Sequence, residues 1–120
     1  MELKGIHKIT GESPYKWEDF KKDTNGLVTV VTQDDATGEV LMVAYMNEEA
    51  YFKTLETGIM TYFSRSRQCL WIKGDTSGHY QYVRSLKADC DKDAILARVV
   101  QVGNACHTGA YSCFFNKILG

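Results

Sequence analysis

Two short apolar runs, LVTVVTQ at residues 27–33 and VLMVAYM at 40–46, flank the turn sequence DDATGE. The first run is β-branched and the second is apolar throughout, so the segment reads as two strands of a β-hairpin. Neither run is long enough to span a bilayer, which takes about 20 apolar residues. A hairpin buries only one of its faces, so the rest of the chain must supply the cover. Asn47 after the second run is in place to cap a helix, with Glu48 and Glu49 at its positive end and Gly58 as a stop. IMTYFS (59–64), YQYVRSL (80–86) and AILARVVQV (94–102) follow as further strands. The last would also suit one helical face, but its β-branched content and Gly103 favour a strand. The expected architecture is α+β, with mainly antiparallel, barrel-like strands and one or two short helices.

The 120 residues make one domain, with residues 1–25 as a polar N-terminal extension or arm anchored by Trp17 and Phe20, and residues 26–120 as the folded unit. A hydrophobic fraction of 44% provides for one core, and a dimer would add buried area that so small a chain lacks alone. With 14 Lys+Arg against 15 Asp+Glu, the charge balance speaks against nucleic-acid binding. The start carries no apolar leader, so the expected compartment is the cytoplasm, with no membrane partner. There, four cysteines point to metal or catalysis more than to disulfides.

Two turn-rich polar stretches, SRSRQCLWIKGDTSGHYQ (64–81) and GNACHTGAYSC (103–113), look like loops hung on the strands. The second carries Cys106 and Cys113, and ADCDKDA (88–94) adds Cys90. No C-x₂-C pair is present, which argues against a closed structural zinc knuckle. Cys69, beside Leu70 and Trp71, reads as a buried thiol. Three ligands and an open position make a catalytic zinc, whose bound water is acidified. Because three thiolates blunt that acidification, a base helps. His107, next to Cys106, is in place to be one, and would equally serve as an ordinary loop histidine.

Asp89, Asp91 and Asp93 offer hard oxygen ligands suited to magnesium or calcium. An EF-hand loop is ruled out, since its sixth and twelfth positions would be Ala94 and Val100. On a straight strand Asp89 and Asp93 would stand about 13 Å apart, so one ion needs the chain to curl there or another subunit to contribute. The plainer alternative has Asp91 or Asp93 capping a helix that begins at Ala94.

Taken together, VLMVAYMNEEA, SRSRQCLWIKGDTSGH, ADCDKDA and GNACHTGAYSCF, in this order over residues 26–115, resemble the phosphoribosyl-AMP cyclohydrolase family of histidine biosynthesis. The resemblance implies an intertwined homodimer with a shared zinc site. Cys90 of one subunit would join Cys106 and Cys113 of the other on zinc, and Asp89, Asp91 and Asp93 would hold magnesium. It implies the third step of L-histidine biosynthesis, in which activated water opens the adenine ring of phosphoribosyl-AMP to a formimino imidazole-carboxamide ribonucleotide. His107 and His79 are then the candidates for proton transfer. Arg65, Arg67, Lys73, Thr76 and Ser77 are the candidates for the phosphates of this nucleotide substrate. Asp75 and Phe63 depart from the family, where Glu and Trp are frequent. Some relatives continue into a pyrophosphohydrolase domain, which this chain is expected to lack.

Two rivals make different demands. A non-catalytic, zinc-stabilised binding or redox-sensing module would need Cys69 as a fourth thiolate. A zinc deaminase would carry H-x-E and P-C-x-x-C, and neither occurs in the sequence.

Overall fold

The hairpin forms as its sequence requires. In a computed structural model, which describes residues 8–120, Val28–Asp34 is strand β1 and Val40–Met46 is strand β2. They pair antiparallel from Val28↔Met46 to Gln33↔Val40. Along β1, buried and half-buried residues alternate, as expected for a strand with one face on the core. The helix α1, Glu48–Thr57, starts where Asn47 Oδ1 accepts the Ala50 N–H at 2.9 Å. It stops at Gly58, whose φ of 71° is left-handed. A Cβ there would also stand 2.9 Å from the Thr10 side chain, so the arm and the helix stop fit against one another only through glycine.

Strands β3 (Thr61–Ser64), β4 (Cys69–Ile72), β5 (Gln81–Ala88) and β6 (Ala94–Gln101) complete the fold. One sheet runs β2-β1-β6-β5, and β3–β4 form a separate two-stranded ribbon. The α+β class and the mainly antiparallel pairing hold, with β1–β6 parallel. The barrel does not. β2 and β5 end the four-stranded sheet. The Asn47 cap turns the chain after β2 into a helix, and the outer side of β5 meets the segment before β3 through an isolated Ile59–Tyr82 bridge rather than a full strand pairing. One local expectation changes: the polar stretch after β3, read as a loop, contains strand β4. The strand reading of 94–102 holds, with β6 beginning at Ala94, and the alternative of a capped helix there falls away.

The core lies between the sheet, α1 and the ribbon. Leu41, Met46, Met60 and Val99 are fully buried there, each apolar side chain contributing about 1.5–3 kcal/mol. Trp17 and Phe20 join the same cluster and pack on Tyr51, so the arm is anchored where its two large aromatics fall. A buried polar chain crosses the core. Thr32 Oγ1 and Tyr62 Oη share a hydrogen bond of 2.7 Å, Tyr62 Oη donates to Gln81 Oε1 at 2.6 Å, and Gln81 Nε2 donates to Gln101 Oε1 at 2.8 Å. Each member satisfies the next, which is what burial of polar groups demands. On the opposite face Val43, Val31 and Leu96 line up across three strands, with Val43 44% and Leu96 37% exposed. None of the helices among the described residues is long and apolar enough to cross a membrane.

Candidate metal and active site

The loop after β6 is folded back on itself by hydrogen bonds from Ala105 N–H to Tyr111 O (3.0 Å) and from Cys106 N–H to Ala110 O (3.1 Å). That fold sets the Cys106 and Cys113 thiols in hydrogen-bonding contact. Three anchors fix the loop on the first hairpin. Cys113 N–H donates to Leu41 O at 2.7 Å, Ser112 Oγ donates to Val40 O at 2.8 Å, and Tyr111 Oη donates to the Asp34 carboxylate while sharing a bond with Thr37. The sequence reading missed Tyr111 and Asp34. Their only sequence signal is position, one between the two cysteines and the other opening the hairpin turn.

The two thiols differ in their surroundings. The Thr108 hydroxyl, donating to Cys106 Sγ at 3.0 Å, holds the Cys106 pKa below the ordinary thiol value, assisted by the Thr108 backbone, Cys113 and Lys73. Desolvation, then the neighbouring Cys106, pushes Cys113 up. The neighbouring thiols are thus pushed in opposite directions, Cys106 towards its thiolate form and Cys113 away from it. Lys73 completes the cluster. Only 9% exposed, it donates from Nζ to Ala105 O at 2.6 Å. Burial lowers its pKa, and the Cys113 and Cys106 charges oppose that.

Cys90 is elsewhere. It lies in the β5–β6 turn, at the other end of β6 from the Cys106 loop. Eight residues of strand separate the two ends, roughly 23 Å at 3.3 Å per step. Cys69 is exposed on β4, not buried as its apolar neighbours suggested, because β4 is a strand of the small ribbon with Ser64 opposite. Among the described residues no group of four thiols, nor of three, converges within one chain.

The aspartates do converge. Ligand oxygens of Asp89, Asp91 and Asp93 all lie within 4.8 Å of one another. The straight-strand separation is avoided because Lys92 takes a left-handed φ of 57°. Asp89 Oδ1 also accepts the Asp93 and Ala94 N–H groups at 3.0 and 3.2 Å. Crowding by Asp89 and Asp91 raises the Asp93 pKa from 3.8 to about 6, while hydrogen bonding within the turn lowers that of Asp89. Carboxylates held this close repel one another, so a proton shared among them is favoured as the pH falls. The arm touches this turn, Lys21 N–H donating to Lys92 O at 2.8 Å.

His107 is exposed and lines a cleft of about 420 Å³ with Met42, Val43, Trp71, Lys73 and Cys113. Trp71 and Val43 also wall a second cleft of about 810 Å³, where the Arg65 guanidinium stacks on the Tyr45 ring at 4.1 Å. The two clefts therefore adjoin. Arg67 is exposed on the β3–β4 turn and lines neither cleft. Thr76 and Ser77 lie on the exposed turn before β5, with Ser77 Oγ accepting the His79 N–H at 3.1 Å. His79 packs on the first residues of the cysteine loop, where a Cβ on Gly103 would come within 2.7 Å of the imidazole. It lines neither cleft.

Residues 42–115 match the family model described as phosphoribosyl-AMP cyclohydrolase. Similar proteins bearing that name come from Streptococcus mutans serotype c, 67% identical over 83% of this chain and 91% of its own length, and from Listeria monocytogenes serotype 4a, 60% identical over 83% and 92%. One from Methanococcoides burtonii is 57% identical over 84% of each chain. The matched segment contains the thiol pair, the three converging aspartates and the cleft that His107 and Cys113 line, and the chain belongs to the phosphoribosyl-AMP cyclohydrolase family.

Proposed function

We propose that this chain is the hydrolase that opens the adenine ring of phosphoribosyl-AMP in histidine biosynthesis, and that it works in the cytoplasm as a homodimer. Membership of the family supports the reaction. The observation that carries the site assignment is the neighbouring thiol pair beside a cleft that shares Val43 and Trp71 with a second, larger one. Cys106 and Cys113 hold zinc together with Cys90 of the partner subunit, and Asp89, Asp91 and Asp93 hold magnesium. Zinc in such a three-thiolate site supplies an acidified water and an open coordination position.

This chain's own residues do the rest. The purine enters the cleft beside Cys113, with Trp71 at its wall. Arg65 in the far cleft, Arg67 on the same β3–β4 turn, and Thr76 and Ser77 on the turn before β5 take the phosphates. Ring opening, rather than loss of ammonia, needs a proton delivered to the ring nitrogen. His107 reaches into the cleft that holds Cys113 and so is the nearer donor. His79, braced against Gly103 and Asn104, orients the loop instead.

A dimer suits the exposed Val43–Val31–Leu96 row and the separation of Cys90 from the other thiols. Phe114 and Phe115, 64% and 53% exposed directly after Cys113, add apolar surface beside the site. The closing test is an absorbance assay of the purified protein with phosphoribosyl-AMP, with and without chelator. Turnover that chelation abolishes and zinc restores is expected; turnover indifferent to chelation overturns the metal assignment.

A further inference from the structure

Lys73 is the buried cation nearest the proposed zinc ligands. Its side chain is only 9% exposed, and among the described residues no carboxylate pairs with it. A buried ammonium has three N–H donors and tolerates burial only when countercharge and acceptors surround it. One donor goes to Ala105 O at 2.6 Å, directly before ligand Cys106. Cys113 lines the same cleft as Lys73, and Cys113 and Cys106 are the acidic groups that favour its charged form. The Trp71 ring lies 5.8 Å from the ammonium.

Charge counting gives this arrangement a purpose. A divalent cation with three thiolates carries one net negative charge, which disfavours both the third thiolate and the approach of a phosphorylated substrate. One fixed ammonium against two of the sulfurs cancels it. We infer that Lys73 is a positioning residue of the zinc site. It tethers the Ala105–Cys106 segment through the Ala105 carbonyl and supplies the positive charge that balances the ligand set. This rests on the zinc reading of Cys90, Cys106 and Cys113, and it separates Lys73 from Arg65, which stands exposed in the larger cleft, and from Arg67, exposed on the same turn.

The test is zinc affinity by competition with a chromophoric chelator, measured on the full-length parent and on Lys73→Met, Lys73→Gln and Lys73→Arg. Partners outside the ligand shell typically change metal affinity 10- to 100-fold, and a loss of about that size is expected for both K73M and K73Q. K73Q keeps a donor for Ala105 but no charge, so it isolates the electrostatic part and carries the test should K73M fail to fold. K73R is expected to recover most of the affinity. A folded K73Q that binds zinc as the parent does, or a folded K73R no better than K73Q, overturns the inference. A parent that binds no zinc overturns the site reading beneath it.

Discussion

Cys90 and Cys106 stand beyond opposite ends of the same strand, β6, in a turn and a loop that one chain does not bring together. A site using both must draw them from two subunits. Mixing Cys90→Ser with Cys106→Ser protein then produces hybrid dimers in which one site carries both lesions and the other carries none. Each variant alone is expected to be inactive. After unfolding and refolding together, about a quarter of the parental turnover should return, since half of randomly paired dimers are hybrids with one intact site of two. No recovery in dimers shown to be hybrid would place the three cysteines in separate roles.

Cys69 and Cys106 should part company in metal content. Cys69 is exposed on the ribbon and Cys106 is buried in the anchored loop. Elemental analysis is expected to find about one zinc per chain in Cys69→Ser, as in the parent, and little in Cys106→Ser. Zinc lost equally from both would favour a closed four-thiolate site.

The aspartate turn predicts a pH dependence of known sign. Asp93 has its pKa raised in the fold from 3.8 to about 6. Its protonated form therefore stabilises the fold fully below 3.8, and that contribution disappears as pH rises through about 6. In chelator, the melting temperature should fall over that window. Magnesium, taking the proton's place, should flatten the fall, and Asp93→Asn should abolish it. Asp91→Asn should impair the magnesium response with zinc still bound. A melting temperature that climbs over this window even in chelator would contradict the crowding of Asp89, Asp91 and Asp93.

His107 shares its cleft with Cys113. His107→Ala is expected to lower turnover by about 10²–10⁴-fold and to flatten one limb of the pH–rate profile. An unaltered profile with reduced rate would leave His107 a binding contact only.

Tyr62 links Thr32 to Gln81 in the core. Tyr62→Phe removes the hydroxyl and leaves both partners buried with a bond unmade, which costs about 1–3 kcal/mol. Urea unfolding reads that loss directly, and a change under about 0.5 kcal/mol would mean that Thr32 and Gln81 re-pair on their own.

Much of this was legible in the residues, and the failures are physical. The first hairpin, the Asn47 cap and the Gly58 stop were readable because each is decided within a few neighbouring positions. Strand β4 was not, since four residues between Arg65–Arg67 and a glycine-rich turn form a strand only by pairing with β3. The exposure of Cys69 follows from the same pairing. The parallel β1–β6 contact has no local signature at all. For the aspartates, the sequence offered the ligands and posed the problem of their spacing. The answer lay in one left-handed residue, Lys92, which is an uncommon conformation for a side chain of that kind. Lys73 read as one more basic residue near a phosphate, and only the position of its ammonium beside Ala105 distinguishes it from Arg65.

The β1–β6 pairing also bears on how the chain assembles. Val31 and Leu96 are neighbours in the sheet although 65 positions apart in sequence, 96 less 31. Local zippering can build the first hairpin and the aspartate-bearing hairpin quickly, but their union must wait for a large loop to close, a step that slows folding. The acidic turn can therefore form while the two hairpins are still separate, whereas the cysteine loop, pinned to β2 from the end of β6, must follow their docking. Metal supplied during refolding should be captured in that order, oxygen ligands first and sulfur ligands last.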